Sequence, residues 1–373
     1  MRTIPVELLV EIFRMCLDAD DDLEGYIRII PGSSLWTLTQ ICTQWRNVAS
    51  TQPAFWQSIL VDVDELYSLI AKRRMRSLLI PYRLLDLKRS RNHPLHIEFR
   101  NTPPKVPDDA RNEETISLGQ NLLGSLLEHR QRWRSFILRV YSTANAPIPS
   151  AYKHDFHFLE SFQLLLPQSE ISFRAITQSR DVASSSFLRV MCCSPSLEHV
   201  QIPNLPSDLL LSMPLTAFGS VTHFVVGLCT NLPVLKILQR SAETLTQIDL
   251  RCISSADEPR GHPRRRPISV LLPNLLILQV ARGLSGEGYL VNYITTPKLT
   301  VLTIWDYPPS NADFVPFIDL VKRSECRIKI MDVGAGPMVS EQTLQSIAPW
   351  LPLQNRVLKD KASGSRRYQF FLV

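Results

Sequence analysis

The stretch Ile4-Pro5-Val6-Glu7-Leu8-Leu9-Val10-Glu11-Ile12-Phe13 predicts a helix at the start of the chain. Pro5 suits the first turn of a helix, where its missing N–H would have no partner anyway. Glu7 and Glu11 place negative charge near the positive end of the helix dipole. From residue 6 to residue 17 only three side chains are polar, so this helix is apolar nearly all round and must be buried nearly all round.

Two explanations fit such a helix. A module of about 60 residues buries only about 60% of its chain surface, so it has difficulty covering the helix on every side. A partner protein would then complete the burial. Alternatively, the helix is an ordinary core helix that packs on the rest of this chain, and the apolar pattern alone leaves both explanations open.

Two further motifs follow the first helix. They are Cys42-Thr43-Gln44-Trp45-Arg46 and Pro53-Ala54-Phe55-Trp56. Together with the first helix they resemble, in the same order, the three motifs of an F-box. The sequence departs from that family at residues 18–36, where a partly acidic insertion separates the helices. The resemblance implies that residues 1–65 form a small all-α module that docks on the Skp-type adaptor of an SCF ubiquitin ligase and, through the adaptor, on cullin.

The same resemblance implies where the adaptor would bind. The predicted adaptor-binding residues are Pro5, Leu8, Leu9, Ile12, Phe13 and Trp56. Trp45 has a different predicted role. Because it lies at near-helical spacing from Ile41 and Ala49, we predict that it holds the helices of the module together.

Composition indicates a globular intracellular protein. A length of 373 residues predicts two or three domains, and a hydrophobic content of 45% is typical of a folded chain. No apolar run approaches 18 residues, so no membrane span is expected, and the acidic residues of the first helix argue against a secretory signal. Seven cysteines without paired C-x-x-C spacing favour reduced thiols. We therefore expect a cytoplasmic or nuclear location.

Charge is unevenly distributed. Residues 1–65 carry four basic and ten acidic side chains, whereas the whole chain has a net charge of +6. Basic residues concentrate between residues 72 and 91, within a predicted helical connector at residues 66–92, and again at Arg264-Arg265-Arg266. Such clusters can bind nucleic acid, but no nucleic-acid-binding motif accompanies them. A solvated surface is the favoured interpretation.

The rest of the chain repeats one pattern: an apolar residue, two residues, an apolar residue, one residue, and a third apolar residue. The pattern begins at Trp133, Leu159, Leu197, Val221, Leu245, Leu275 and Leu299. These starting positions are mostly 24 to 30 residues apart, close to the period of leucine-rich repeats. Helix-like runs precede several of the predicted strands. Residues 93–373 therefore resemble an irregular leucine-rich-repeat-like solenoid with a parallel sheet. A single ordinary α/β domain is the alternative.

An F-box followed by such repeats resembles the substrate receptors of the large fungal F-box-like family. Because side chains alternate along a strand, the residues between the apolar positions should form a surface for a target protein. Arg251, Trp305 and Tyr307 are the predicted target-binding residues, since Arg, Trp and Tyr most often dominate binding energy at interfaces.

No spacing of residues typical of catalysis or metal binding is present, so we expect a non-enzymatic protein without a cofactor. Its predicted role is that of a receptor for ubiquitin transfer carried out by other subunits. Two alternatives stay open: a scaffold that binds the adaptor outside the ligase, and a basic repeat protein that binds nucleic acid.

Overall fold

The polypeptide divides at residue 196 into two units, Met1–Ser196 and Leu197–Val373, in this computed structural model. The structure describes residues 4–18, 34–73, 87–101, 109–140, 156–165, 191–202, 216–227, 231–251, 269–280, 290–304, 315–335, 353–359 and 366–372. Within these ranges no helix is long and apolar enough to cross a membrane.

Three short helices begin the first unit. They are α1 (Val6–Asp18), α2 (Ser34–Ile41) and α3 (Thr43–Thr51), and a 3-10 turn follows at Pro53–Trp56. The Pro5 carbonyl accepts the first backbone hydrogen bond of α1, from Leu9 N–H at 3.1 Å. Cys42 caps α3, where its Sγ accepts from Trp45 N–H at 3.5 Å. The prediction of a helical module at this end of the chain is confirmed.

The helical module has a hydrophobic core of its own. Its buried side chains are Leu9, Phe13, Leu35, Leu38, Val48, Ala49, Phe55 and Trp56. The Phe13 ring lies 5.0 Å from the Trp45 ring and 5.9 Å from the Phe55 ring, distances at which aromatic pairs attract each other. The Trp56 indole N–H donates to the Ala49 carbonyl at 2.8 Å, so its buried polar atom is satisfied. The aromatic cluster therefore ties α1 to α3 and to the turn that follows it.

A parallel sheet makes up the rest of the first unit. Its strands are β1 (Ser58–Asp62), β2 (Leu95–Asn101), β3 (Trp133–Val140) and β4 (Ser161–Leu165), paired in that order. Two helices accompany them, α4 (Val63–Arg73) and α5 (Asp109–Leu127). The sheet starts earlier than predicted, because β1 lies inside residues 1–65 and pairs with β2. Arg89, from the predicted connector, packs its guanidinium 4.4 Å from the centre of the Trp56 ring.

The second unit continues the same plan. Its strands are β5 (His199–Ile202), β6 (His223–Gly227), β7 (Gln247–Arg251), β8 (Val270–Leu271), β9 (Ile277–Val280), β10 (Ile294–Thr295), β11 (Val301–Ile304), β12 (Ile330–Ala335), β13 (Leu353–Lys359) and β14 (Arg366–Leu372). The parallel order is β5, β6, β7, β9, β11 and β12, after which β14 and β13 pair antiparallel. Strands β8 and β10 form a separate small sheet. The described α-helices of the second unit are α6 (Asn231–Arg240) and α7 (Val315–Ser324).

The repeated apolar pattern lies in register across the strands. Phe224, Ile248, Leu278 and Leu302 occupy matching positions on β6, β7, β9 and β11. All three apolar residues of each of the seven predicted motifs are buried, none of them more than 3% exposed. The predicted strand positions and the parallel sheet are therefore confirmed.

A ladder of backbone hydrogen bonds joins the repeats at the start of the strands. The carbonyls of Glu198, Thr222, Thr246, Leu276 and Thr300 each accept two successive N–H groups from the next repeat. Threonine hydroxyls strengthen this ladder, for example Thr246 Oγ1 donating to the Thr222 carbonyl at 3.1 Å. Here threonine before the strand supplies the side-chain bond.

Trp45 gives a test of the module's core. Its ring contacts Phe13 but remains half-exposed, so Trp45→Ala should destabilise the module by about 3 kcal/mol, the lower end for large aromatic truncations. Hydrogen exchange of the full chain, read in peptides from α1 and α3, measures this loss. Asn47→Ala, an exposed position on α3, is the matched control and should change the opening free energy by no more than about 0.5 kcal/mol. Equal protection in both variants would contradict a core role for Trp45.

Candidate functional site

Helix α1 carries two apolar stripes on different sides. Leu9 and Phe13 are fully buried and face the core of the module. Leu8, Ile12 and Met15 form a second stripe about 100° away around the helix, since each residue advances by about 100°. Leu8 is 57% exposed and Met15 is 63% exposed. Among the described residues, the core of the module buries the first stripe fully, and of the second stripe only Ile12 packs partly against that core.

The same module has other exposed apolar side chains. Ile4, Val6 and Ile41 are 41%, 45% and 55% exposed. Gln44 Nε2 donates to the Ile4 carbonyl at 2.9 Å, which holds the start of α3 against the start of α1. Exposed apolar side chains that gather in one module mark an interaction site, whereas single ones are ordinary.

The predicted adaptor-binding residues separate into two groups in the structure. Pro5 and Leu8 are exposed and Ile12 is partly buried, so all three offer surface to a partner. Leu9, Phe13 and Trp56 are at most 2% exposed. Their side chains have no surface to offer an adaptor here, because they form the core of the module. The family motif contains both groups, and motif matching alone does not separate residues that bind from residues that pack.

Met15 belongs to this stripe, and Ile41 is a further exposed apolar residue of the module, although the sequence analysis singled out neither. Met15 lies seven residues after Leu8, two helical turns along the same stripe. This spacing alone could have predicted from the sequence that Met15 shares a helix face with Leu8. Ile41 is the last residue of α2, and its exposure depends on how the next helix turns away.

Charged side chains border the apolar stripe on α1. Arg14 forms an exposed ion pair with Glu11, at 2.5 Å between Arg14 NH1 and Glu11 Oε1. An exposed pair of this kind contributes little to stability. Glu7 and Glu11 leave this helix with an acidic edge beside its apolar stripe.

Residues 1–62 match the model of the F-box-like family. The chain carries an F-box-like domain. No curated protein matches the chain. The F-box-like domain coincides with the helical module and ends at β1, and it indicates an adaptor-binding role related to ubiquitin ligases.

A second candidate surface lies on the second unit, on the side of the strands opposite the apolar core. We call it the polar face. Its residues in register are Gln201, Val225, Asp249, Gln279, Thr303 and Asp332. Asp249 is 6% exposed and pairs with Arg251, whose NH2 lies 2.8 Å from Asp249 Oδ2. The predicted target-binding residue Arg251 is thus exposed and held in place, while Trp305 and Tyr307 lie outside the described residues.

Histidines extend the polar face at the start of β5 and β6. His199 is exposed and His223 is half-buried, and they occupy matching positions on the two strands. Burial lowers the pKa of His223, the neighbouring His199 lowers it further, and Asp249 opposes the shift. The lowered pKa favours the neutral form of the His223 imidazole.

The first unit holds a buried carboxylate on the corresponding side of its strands. Glu98 on β2 is fully buried, and its Oε1 accepts from Arg100 Nε at 2.7 Å and from Arg139 Nε at 2.5 Å. Arg100 lies two residues along the same strand and Arg139 on the neighbouring strand. Two cations around one carboxylate compensate the cost of burying it.

The structure describes the basic clusters only in part. Most of residues 72–91 and all of Arg264-Arg265-Arg266 lie outside the described residues. Of the described part, Arg89 packs on Trp56 and serves the core of the module.

Proposed function

We propose that this protein is a non-catalytic substrate receptor of an SCF-type ubiquitin ligase. In this proposal the F-box-like domain docks a Skp-type adaptor and, through it, cullin, and the repeats hold a target protein. The stripe of exposed Leu8, partly buried Ile12 and exposed Met15 carries the proposal. It is an apolar surface on a domain whose relatives generally bind such adaptors.

The adaptor-binding roles follow from burial. Pro5, Leu8 and Ile12 contact the adaptor, and Met15 extends that contact. Leu9, Phe13 and Trp56 act indirectly, because they fix the angle at which α1 presents the stripe. Truncating a residue of this second group would reduce adaptor binding through loss of the domain's fold.

The proposed target site is the polar face together with Arg251, Trp305 and Tyr307. We infer that the repeats stack as a leucine-rich-repeat-like solenoid, since parallel strands 24 to 30 residues apart share one register and one hydrogen-bond ladder. One side of every strand then faces away from the core. On that side Val225, Asp249, Thr303 and Asp332 are at most 9% exposed, and the more accessible side chains are Gln201, Gln279 and Arg251. A target would then contact several repeats at once.

Two other functions remain as competing outcomes. A scaffold would bind the adaptor without cullin, so recovery of cullin together with the adaptor separates the receptor from the scaffold. A nucleic-acid-binding protein would bind random-sequence duplexes with an affinity that falls steeply as salt rises. The exposed apolar stripe favours the adaptor-dependent functions, because nucleic-acid contacts are mostly made by charged and polar groups.

The adaptor interface can be tested by introducing a charge into the exposed stripe. Leu8→Asp and Ile12→Asp should each weaken adaptor binding at least about 100-fold, because burying an unpaired carboxylate costs several kcal/mol. Leu8 is exposed, so its replacement leaves the fold of the domain intact. Calorimetry of the full chain against purified adaptor provides the measurement.

The matched control is Asn47→Asp, which adds the same charge at an exposed position on α3. It should bind the adaptor as the unchanged protein does. Equal weakening by all three variants would indicate a nonspecific charge effect and contradict the assigned stripe. Absence of binding by the unchanged protein at tens of micromolar would overturn the adaptor proposal itself.

The target site is tested by the double change Arg251→Ala and Trp305→Ala. It should leave adaptor binding intact and remove most proteins that co-purify with the chain when the proteasome is blocked. The control pair is Lys236→Ala and Gln239→Ala on α6, away from the polar face. If quantitative mass spectrometry shows the same interaction profile for both pairs, the target does not bind at this surface.

A further inference from the structure

Asp332 on β12 is a buried carboxylate of the polar face whose buried oxygen has no partner. The residue is 8% exposed, and its Oδ1 atom finds no hydrogen-bond partner among the described residues. None of the ion pairs between described residues involves Asp332. Because the large majority of buried polar side-chain atoms in folded proteins have a partner, Asp332 occupies an exceptional position.

Glu98 and Asp249 are the other two buried carboxylates in the described part of the chain. Each of them pairs with an arginine two residues further along its own strand. The corresponding position after Asp332 is Gly334, which contributes no side chain. Strand β12 therefore presents a similar carboxylate without the cation that accompanies it on the other two strands.

The neighbours of Asp332 on β11 and β12 are small. Thr303, at the matching position on β11, has a short side chain that is 5% exposed, and Gly334 is the next residue on the same side of β12. A recessed carboxylate beside short neighbours suits the tip of a long, slender side chain. Lysine and arginine carry their charge at the end of such an apolar stem.

The charge of Asp332 also selects the kind of partner. Burying a carboxylate costs free energy, which a closely paired cation offsets. A metal ion does not fit, because no group of three or more His, Cys, Asp or Glu side chains that could hold one occurs within the described ranges. A phosphate group does not fit either, since the carboxylate would repel it. A basic side chain of a bound protein fits both the charge and the depth of the site.

We propose that Asp332 binds a lysine or arginine side chain of the target protein, whose N–H groups donate to Oδ1. This role rests on the proposed target site, because Asp332 is a member of the polar face. The free chain leaves the carboxylate unpaired, and the target supplies the missing cation. A target with a neutral residue at that point would keep the carboxylate buried and unpaired, so the site discriminates against it.

The test uses random-sequence peptides displayed on phage and selected on the full chain. We expect lysine or arginine to be enriched at one position, and the enriched residue type identifies the cation. A selected peptide and its counterpart with norleucine for lysine, or citrulline for arginine, then enter a double-mutant cycle with Asp332→Asn. Each single change should weaken binding at least about 30-fold, because the remaining charge is left buried without its partner. Both changes together should weaken binding little more than either one alone.

Asp319→Asn is the matched control, because it removes the same charge at an exposed position on α7 of the same unit. It should retain the full affinity for the selected peptide. Additive losses in the cycle, an equal loss in Asp319→Asn, or a selection without an enriched basic position would overturn the proposal. Adaptor binding by the same protein, measured by calorimetry, distinguishes that outcome from failure of the proposed receptor function.

A cation within the chain is the competing partner for Asp332. The strand register places Arg367 of β14 opposite Gly334. If the carboxylate is unpaired in the free chain, Asp332→Asn should leave hydrogen exchange in peptides from β12 equally slow or slower. Exchange that is at least about tenfold faster in this variant would show that Asp332 already compensates a charge of its own chain, and it would overturn the proposal.

Discussion

The in-register alternation of the parallel strands is the constraint on which the rest of this structure depends. Each strand turns alternate side chains to opposite sides, so one shift in register would move every apolar residue out of the core. The ladder of paired N–H groups on the carbonyls from Glu198 to Thr300 prevents such a shift at the start of each strand. Once the register is set, the apolar core, the polar face and the histidine pair follow from the same alternation.

The F-box-like domain has only a short stretch of chain with which to bury helix α1. A domain of this size has too little chain to surround α1, and the structure shows which part is left uncovered. Leu9 and Phe13 consolidate the core, whereas Leu8 and Met15 remain in contact with solvent. Leaving large apolar side chains in water costs about 25 cal/mol for each Å² of apolar surface. Such a cost is typical of a surface that a partner covers.

The sequence predicted these strands well because the same pattern of buried positions recurs in each of them. Three apolar positions per strand, repeated seven times, leave little freedom in assigning the core. Strand β1 was missed because Ile59, Leu60 and Val61 form a continuous apolar run without alternation. Such a run occurs in strands that are buried on both sides. It also follows directly on the motif at residues 53–56, which the sequence analysis assigned to the helical module.

The adaptor-binding residues were predicted less well for a related reason. The F-box motif records residues that pack together with residues that bind, and a helix with two apolar stripes does not reveal which stripe the module covers. Only the positions of α2 and α3 decide that Phe13 is inside and Met15 outside. The antiparallel strands β13 and β14 lie beyond the repeat pattern, so periodicity carried no information about them.

Both units have a buried carboxylate on the side of the strands opposite the core. In each unit an ion pair with an arginine holds that carboxylate in place. Glu98 and Asp249 each pair with an arginine two residues further along the strand, Arg100 and Arg251. Alternation places both members of a pair on the same side, so this spacing is the shortest one that allows the contact. Removing Arg251 would leave the buried Asp249 without its arginine, whereas Arg139 would still compensate Glu98 if Arg100 were removed. Gln201 and Gln279, which lie beside these pairs, do not compensate a buried charge. A target-binding surface can therefore vary at these positions without loss of the fold.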